Sequence, residues 1–133
     1  MEFTFTKIER LCSKKAIDEL FATGKSKTQF PIKLIYKSAE FESAFPVRAM
    51  FVVPKKKHKR ANKRNILKRR MREVYRLHKH LLYNALGENK LDVMFIYLSN
   101  EPLEYAEIEK CICQLIETLA KQEFLIAKKK ITS

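Results

Sequence analysis

Tryptophan is absent and glycine occurs only twice, at Gly24 and Gly87. Two isolated glycines exclude a Gly-rich phosphate-binding loop, whose turns and close backbone approach need several. Cysteine is scarce and odd in number, with Cys12, Cys111 and Cys113. The last two are too close to bridge easily within a helix, so a secreted disulfide scaffold is not expected and a reducing cytoplasm fits better. Paired-Cys zinc spacing and Gly-x-Ser-x-Gly are missing, which leaves little to suggest ordinary catalysis. No run approaches the ~18–20 apolar residues of a membrane span. The N-terminus lacks the basic-then-apolar pattern of a signal peptide. Acidic residues are in short supply: 15 Asp+Glu face 28 Lys+Arg, a formal net charge of +13 over 133 residues. An apolar content of 46% is nevertheless ample for one packed domain and too high for a disordered tail. The expectation is one domain over 1–133, ordered over about 8–127, with a basic tail at 128–133.

The charge is concentrated. Residues 55–80 hold thirteen Lys/Arg and one acid, Glu73, so this window carries +12 of the total +13. Such crowding disfavours folding unless a polyanion relieves it, and nucleic acid is the usual partner of a concentrated basic segment. A solvated surface normally mixes both signs. A membrane-surface helix is the other alternative.

Ser13 can cap a helix to about Phe21, with Ile17, Leu20 and Phe21 on its inner face. The polar stretch Lys25–Gln29 is expected to be irregular. Residues 30–38 and 47–53 predict strands, paired antiparallel across a short loop. From about Arg60 to Leu86 neither Pro nor Gly interrupts a long helix, which Gly87 ends. Residues 91–98 predict the clearest buried strand. A final helix from about Glu104 carries a core stripe of Ile108, Cys111, Ile112, Leu115, Ile116, Leu119 and Ala120. The pattern is α+β: one domain with a small sheet and helices packed on it.

The basic helix has two sides. At ~100° per residue, with Leu67 at 0°, Met71, Val74, His78 and Leu81 fall within about 40° of it and form a core stripe. Lys68, Arg72, Asn65, Arg76 and Arg69 project from the opposite side as a ladder of phosphate donors. A buried stripe leaves little apolar surface for lipid, which weakens the membrane reading. Arg60 and Arg64 point toward the stripe's side and are expected where the helix start meets the sheet. His58, His78 and His80 are poor zinc ligands: His78 lies on the stripe, and no Cys or acid at ligand spacing joins the other two. No metal site is expected. In strand 30–38, Ile32, Leu34 and Tyr36 share one face and Lys33, Ile35 and Lys37 the other. Burying two lysines is costly, so the lysine-bearing face is assigned to a ligand and Tyr36 to the core.

Lys55-Lys56, Arg64-Asn65, Lys68-Arg69 and Arg72-Glu73-x-Tyr75 closely resemble the signature of the protein subunit of bacterial ribonuclease P. The resemblance extends more weakly to Arg10-Leu11, to Phe21-x-x-Gly24, to the strand after Phe30 and to Asp92–Tyr97. It departs at Ile66, where the family signature has an arginine; Lys63 or Arg70 is the expected partial compensation. The resemblance implies a ribosomal-protein-S5-like α/β sandwich with a small mixed sheet and a left-handed crossover between parallel strands. It implies the protein component of a ribonucleoprotein endoribonuclease whose RNA subunit hydrolyses the 5′ leader from precursor transfer RNA with Mg²⁺, the protein alone being inactive and binding no cofactor itself. By resemblance, Lys55, Lys56, Arg60, Arg64, Asn65, Lys68, Arg69, Arg72 and Arg76 bind the RNA subunit. Ile17, Phe21, Lys33, Ile35, Lys37 and Arg64 line a cleft for the single-stranded leader, Ile17 standing where the family is often aromatic. The partners implied are that RNA, in a 1:1 complex with a monomeric protein, and precursor transfer RNA, in the cytoplasm. The alternative is a ribosomal or chaperone-like structural RNA-binding protein.

Overall fold

The structure, a computed structural model, describes residues 9–87 and 89–132, with side chains to residue 123. Chain order is α1 (Lys14–Thr23), β1 (Lys25–Gln29), β2 (Ile32–Ser38), β3 (Val47–Val52), α2 (Ala61–Leu86), β4 (Leu91–Tyr97) and α3 (Tyr105–Thr132). The four strands form one mixed sheet in the order β1-β2-β4-β3. β2 pairs antiparallel with β1 and β4, while β3 and β4 are parallel. The α+β class is as expected from the sequence. The tail at 128–133 falls outside the residues whose side chains are described, although the α3 backbone runs to Thr132.

Two sequence expectations are overturned here. Lys25–Gln29 is an edge strand, not an irregular segment. It carries no apolar alternation because its side chains are exposed or half-buried, so periodicity has nothing to report. Strands β2 and β3 are not neighbours either, because β4 lies between them. Helix α2 supplies the long crossover that parallel β3 and β4 need. Six of the seven β4 residues are buried, as befits a central strand covered on both faces.

One face of the sheet, with Ile32, Leu34 and Tyr36 of β2, packs on α2 and α3 and forms the main core. Tyr36 is core, as assigned, and the whole expected stripe of α3 is buried. On α2, Leu67, Met71 and Val74 are buried as expected, but Leu81 is 39% exposed and His78 only half-buried. The contact line winds round the helix toward Tyr75, Leu82 and Leu86, which stand roughly 60–100° from Leu67.

The second face carries α1 over a small cluster of Leu11, Leu20, Ile35 and Met94. Ser13 Oγ accepts from the Ala16 N–H at 3.3 Å and starts the helix. Gly24 ends it where backbone and sheet nearly touch: a Cβ there would lie 2.5 Å from the Leu20 carbonyl oxygen and 2.8 Å from Ile35 Cγ2. Gly24→Ala should therefore destabilise the fold by about 1–3 kcal/mol, read as a lowered urea midpoint.

Candidate nucleic-acid interface

The basic segment begins on a loop that the sheet holds. Pro54 is followed by exposed Lys55, Lys56 and Lys57, and then by His58, which is 5% exposed. His58 Nε2 donates to the Ser99 carbonyl at 2.9 Å and its ring lies 5.5 Å from that of Tyr97. This histidine bolts the loop to the end of β4. Arg60 is the N-cap residue of α2 and makes no side-chain capping bond; the first turn also contains no acid. The helix start thus presents unsatisfied N–H groups and a positive dipole end among cations. Arg64, expected at the sheet edge, instead folds back over the loop. Its Nη1 donates to the carbonyls of His58 (3.0 Å) and Lys59 (2.8 Å).

The thirteen cations of the window divide by environment. Eight are exposed: Lys55, Lys56, Lys57, Lys59, Arg60, Lys63, Arg69 and Arg72. Asn65 is exposed on the same outer face of α2 as Arg69 and Arg72, and Lys68 is half-buried beside them. Arg76 forms an ion pair with Glu73, whose carboxyl is held below the usual range mainly by that hydrogen bond. Arg70 donates to the Leu103 carbonyl and is occupied in joining α2 to the loop before α3, which limits it as compensation for Ile66. Ile66 itself is 45% exposed within the basic face. Lys79 is buried, its ammonium donating to Glu9, and contributes nothing to the outer charge.

On the α1 side of the sheet, strand register sets three rows. Lys33, Ile96 and Val52 form one row, Ile35, Met94 and Met50 the next, and Lys37, Asp92 and Arg48 the third. The middle row is covered in part: Ile35 and Met94 are buried with Leu20, so Ile35 is floor beneath α1 rather than an open contact. The third row is tied by ion pairs and lines a polar cavity of about 400 Å³ at the start of α1. Arg48 holds Asp92 through two bonds of 2.7 and 2.8 Å, and Lys37 lies 3.9 Å from Glu19 of α1. Lys37 is thus drawn away from the open end. The first row remains accessible, with Val52 and Ile96 only partly buried, as is Met50 at the β3 end of the second.

Phe21 is 62% exposed, correcting its expected place on the inner face of α1. Ile17 is half-buried one turn earlier. By helical angle both lie on the side of α1 opposite Lys15 and Glu19, and so toward the open row. Helical angle and strand register together outline a candidate cleft, with Phe21 exposed on α1 and Lys33, Ile96 and Val52 in one row of the sheet. Met50, Val52 and Ile96 were missed from sequence, since only the β2–β4 and β3–β4 registers bring Ile96 and Val52 into the row of Lys33 and Met50 into the next. The open end abuts the basic loop, because Val52 leads through Pro54 into Lys55 and Ser99 binds His58.

These surfaces can bind a polyanion, but they offer no constellation for hydrolysis. Asp92, Glu9 and Glu73 are each committed to a cation. Among the described residues no group of three or more His, Cys, Asp or Glu could hold a metal ion, and no helix is long and apolar enough to cross a membrane. Burial, with Glu109 and Glu117 nearby, pushes the Cys113 thiol up to about 11, so it is not a thiolate nucleophile at neutral pH. The division among cations is testable by RNA affinity against salt. Replacing Arg69 and Arg72 by Ala should flatten the slope by roughly 0.7–0.9 for each phosphate left unneutralised. Glu73→Gln, which removes the negative charge beside Arg76, should strengthen binding and steepen the slope.

The family model for ribonuclease P matches residues 5–120. The ribonuclease P protein component of Porphyromonas gingivalis is 33% identical over 112 residues, 83% of this chain and 82% of that one. That of Chlorobaculum tepidum is 39% identical over 93 residues, 63% of this chain and 60% of its own. Among solved structures, the ribonuclease P protein of Thermotoga maritima superposes with a TM-score of 0.67 at 22% identity, covering 83% of this chain and 96% of that one. That of Staphylococcus aureus gives 0.66 at 18% identity over 85% and 95% of the two chains. These two show a shared fold. With the family model spanning the sheet, the basic helix and the cleft alike, the chain belongs to the ribonuclease P protein family, the RNA-binding component of the ribonucleoprotein endoribonuclease that matures the 5′ end of transfer RNA.

Proposed function

We propose that the two surfaces divide the RNA partners between them. The loop at Lys55–Arg60 and the outer face of α2, with Asn65, Lys68, Arg69, Arg72 and Arg76, hold the RNA subunit by its phosphates. The cleft under α1 holds the single-stranded 5′ leader of precursor transfer RNA. Arg64 acts at the junction by fixing the loop's carbonyls. The observation that carries this reading is Phe21, a 62%-exposed aromatic on the helix that lies over a half-buried aliphatic row with Lys33 at its β2 end. A single strand has unpaired bases free to stack, and stacking on an aromatic contributes ~1–3 kcal/mol per base without demanding a sequence. Lys33 supplies the phosphate contact. Ile17 gives aliphatic contact without a stacking ring, so this cleft has one aromatic platform on α1.

Hydrolysis belongs to the RNA subunit with its Mg²⁺. Asp92, Glu9 and Glu73 are spent on Arg48, Lys79 and Arg76, and among the described residues no cluster of acids fits a metal pair for phosphodiester cleavage. One protein bound to one RNA in the cytoplasm completes the proposal.

Two outcomes are expected. Protein freed of RNA leaves precursor transfer RNA uncut in Mg²⁺; leader removal that survives nuclease controls would overturn the cofactor role. In the assembled enzyme, Phe21→Ala and Lys33→Ala should each reduce the ratio of affinities for leader-bearing over leaderless substrate, by roughly fivefold or more for the aromatic. Affinity for the RNA subunit should stay the same. An unchanged ratio in both variants would remove the leader from this cleft.

A further inference from the structure

Helix α1 has little packing of its own. Leu20 is its one buried residue, and isolated helices shorter than ~12–15 residues are marginal in water. Its C-terminal end is fixed by the close approach of Gly24 to Ile35 and by direct entry into β1. Its N-terminal end depends on residues 9–11. Arg10 forms a parallel bridge with Ala49, and the Leu11 N–H donates to the Ala49 carbonyl at 2.8 Å. One residue earlier, Glu9 is wholly buried. Its carboxylate accepts from the Lys79 ammonium and the Tyr83 hydroxyl, which stand one turn apart on α2. The Phe45 ring lies 5.7 Å from Lys79 Nζ, and Tyr75 donates to Tyr83 at 3.4 Å behind them.

We propose that this buried Glu9–Lys79–Tyr83 cluster is a latch that sets the position of α1 and so the shape of the cleft. Glu9 and Lys79 are then positioning residues for leader binding, although Lys79 stands on α2, which packs against the opposite face of the sheet. The inference rests on the cleft being the leader site. Three observations support it. The anchored segment runs without a break from Glu9 through Leu11 to the Ser13 cap, so only Arg10 to Cys12 separate latch from cap. The pair is specific in register, since a slip of one residue would set Arg10 against Lys79. Glu9 is joined to α2 through the side chains of Lys79 and Tyr83, and replacing Glu9 or Lys79 alters no residue of the main apolar cluster. The basic window thus spends one of its lysines inside the protein, and that lysine governs the second RNA surface instead of the first.

The test uses the full chain assembled with the RNA subunit. Lys79→Met and Glu9→Ala are compared with Phe21→Ala and with the double variant Glu9→Leu/Lys79→Met, which restores attachment through apolar contact. Amide hydrogen exchange across residues 14–23 reports the latch directly. Exchange there should accelerate in both single variants, with the buried part of α3 unchanged, and should return toward the original rate in the double variant. The leader-bearing to leaderless affinity ratio should fall about tenfold if the docked population of α1 drops to roughly a tenth. RNA-subunit affinity should be retained. Should Lys79→Met fail to fold, Glu9→Ala carries the test, because it removes the partner near the chain's start and keeps α2 intact. Unchanged exchange in α1 would overturn the latch. Faster exchange with an unchanged ratio, while Phe21→Ala lowers it, would overturn the positioning role. If Phe21→Ala also leaves the ratio unchanged, faster exchange still supports the latch and the failure belongs to the leader assignment.

Discussion

Twelve net positive charges within 26 residues repel one another, and everything else in this molecule answers to that repulsion. The helix α2 tolerates the charge because its other side is buried: Leu67, Met71, Val74, Tyr75, Leu82 and Leu86 are all fully enclosed against the sheet and α3. At roughly 1.5–3 kcal/mol for each such side chain, burial holds the rod against its own electrostatics. Two cations are offset by acids: Lys79 is paired with Glu9 inside the protein and Arg76 with Glu73. Arg64 and Arg70 keep their charge but are held in place by backbone carbonyls. What remains outside is a smaller, fixed set on a rigid support, which is the arrangement a shaped polyanion can use.

Much of this was legible in the sequence because it depends on local chemistry. The charge window, the uninterrupted α2, the Ser13 cap and the apolar stripe of α3 all follow from composition and spacing. What was not legible depends on partners. β1 contains Lys25, Ser26, Lys27, Thr28 and Gln29, none with an apolar side chain, and only its pairing with β2 makes it a strand. The insertion of β4 between β2 and β3 was hinted at by the unbroken run Val93–Leu98, a mark of burial on both faces. Short-loop economy nevertheless favoured the wrong antiparallel pair. Phe21 looked like core by helical spacing; α1 meets the sheet through Leu20 instead and leaves the ring outside. Lys79 counted only as one more cation of the window, since a single sequence gives no sign that Glu9, seventy positions earlier, lies against it.

The same partner-dependence decides the candidate site. Lys33, Ile35 and Lys37 alternate on one face as the sequence indicates, yet they have three different environments. Lys33 borders an open row, Ile35 lies under α1, and Lys37 faces Glu19. Row three, with Arg48 and Asp92 joined in a half-buried pair, is occupied by opposite charges and lines a separate polar cavity. The cations left for a polyanion on this face therefore lie toward the basic loop. A strand leaving the RNA subunit's surface would meet the loop first and the cleft second. That order follows from Val52, Pro54 and Lys55 being continuous in the chain.

The central claim is that two surfaces on one small protein touch two different RNAs, and photocrosslinking from defined positions tests it most directly. A photoreactive phenylalanine analogue would replace Phe21 in one protein and Arg69 in another, each assembled with the RNA subunit and a leader-bearing precursor in Ca²⁺ to slow cleavage. The account predicts that position 21 labels nucleotides of the leader and position 69 labels the RNA subunit. Labelling of the RNA subunit from position 21, or of the leader from position 69, would contradict it.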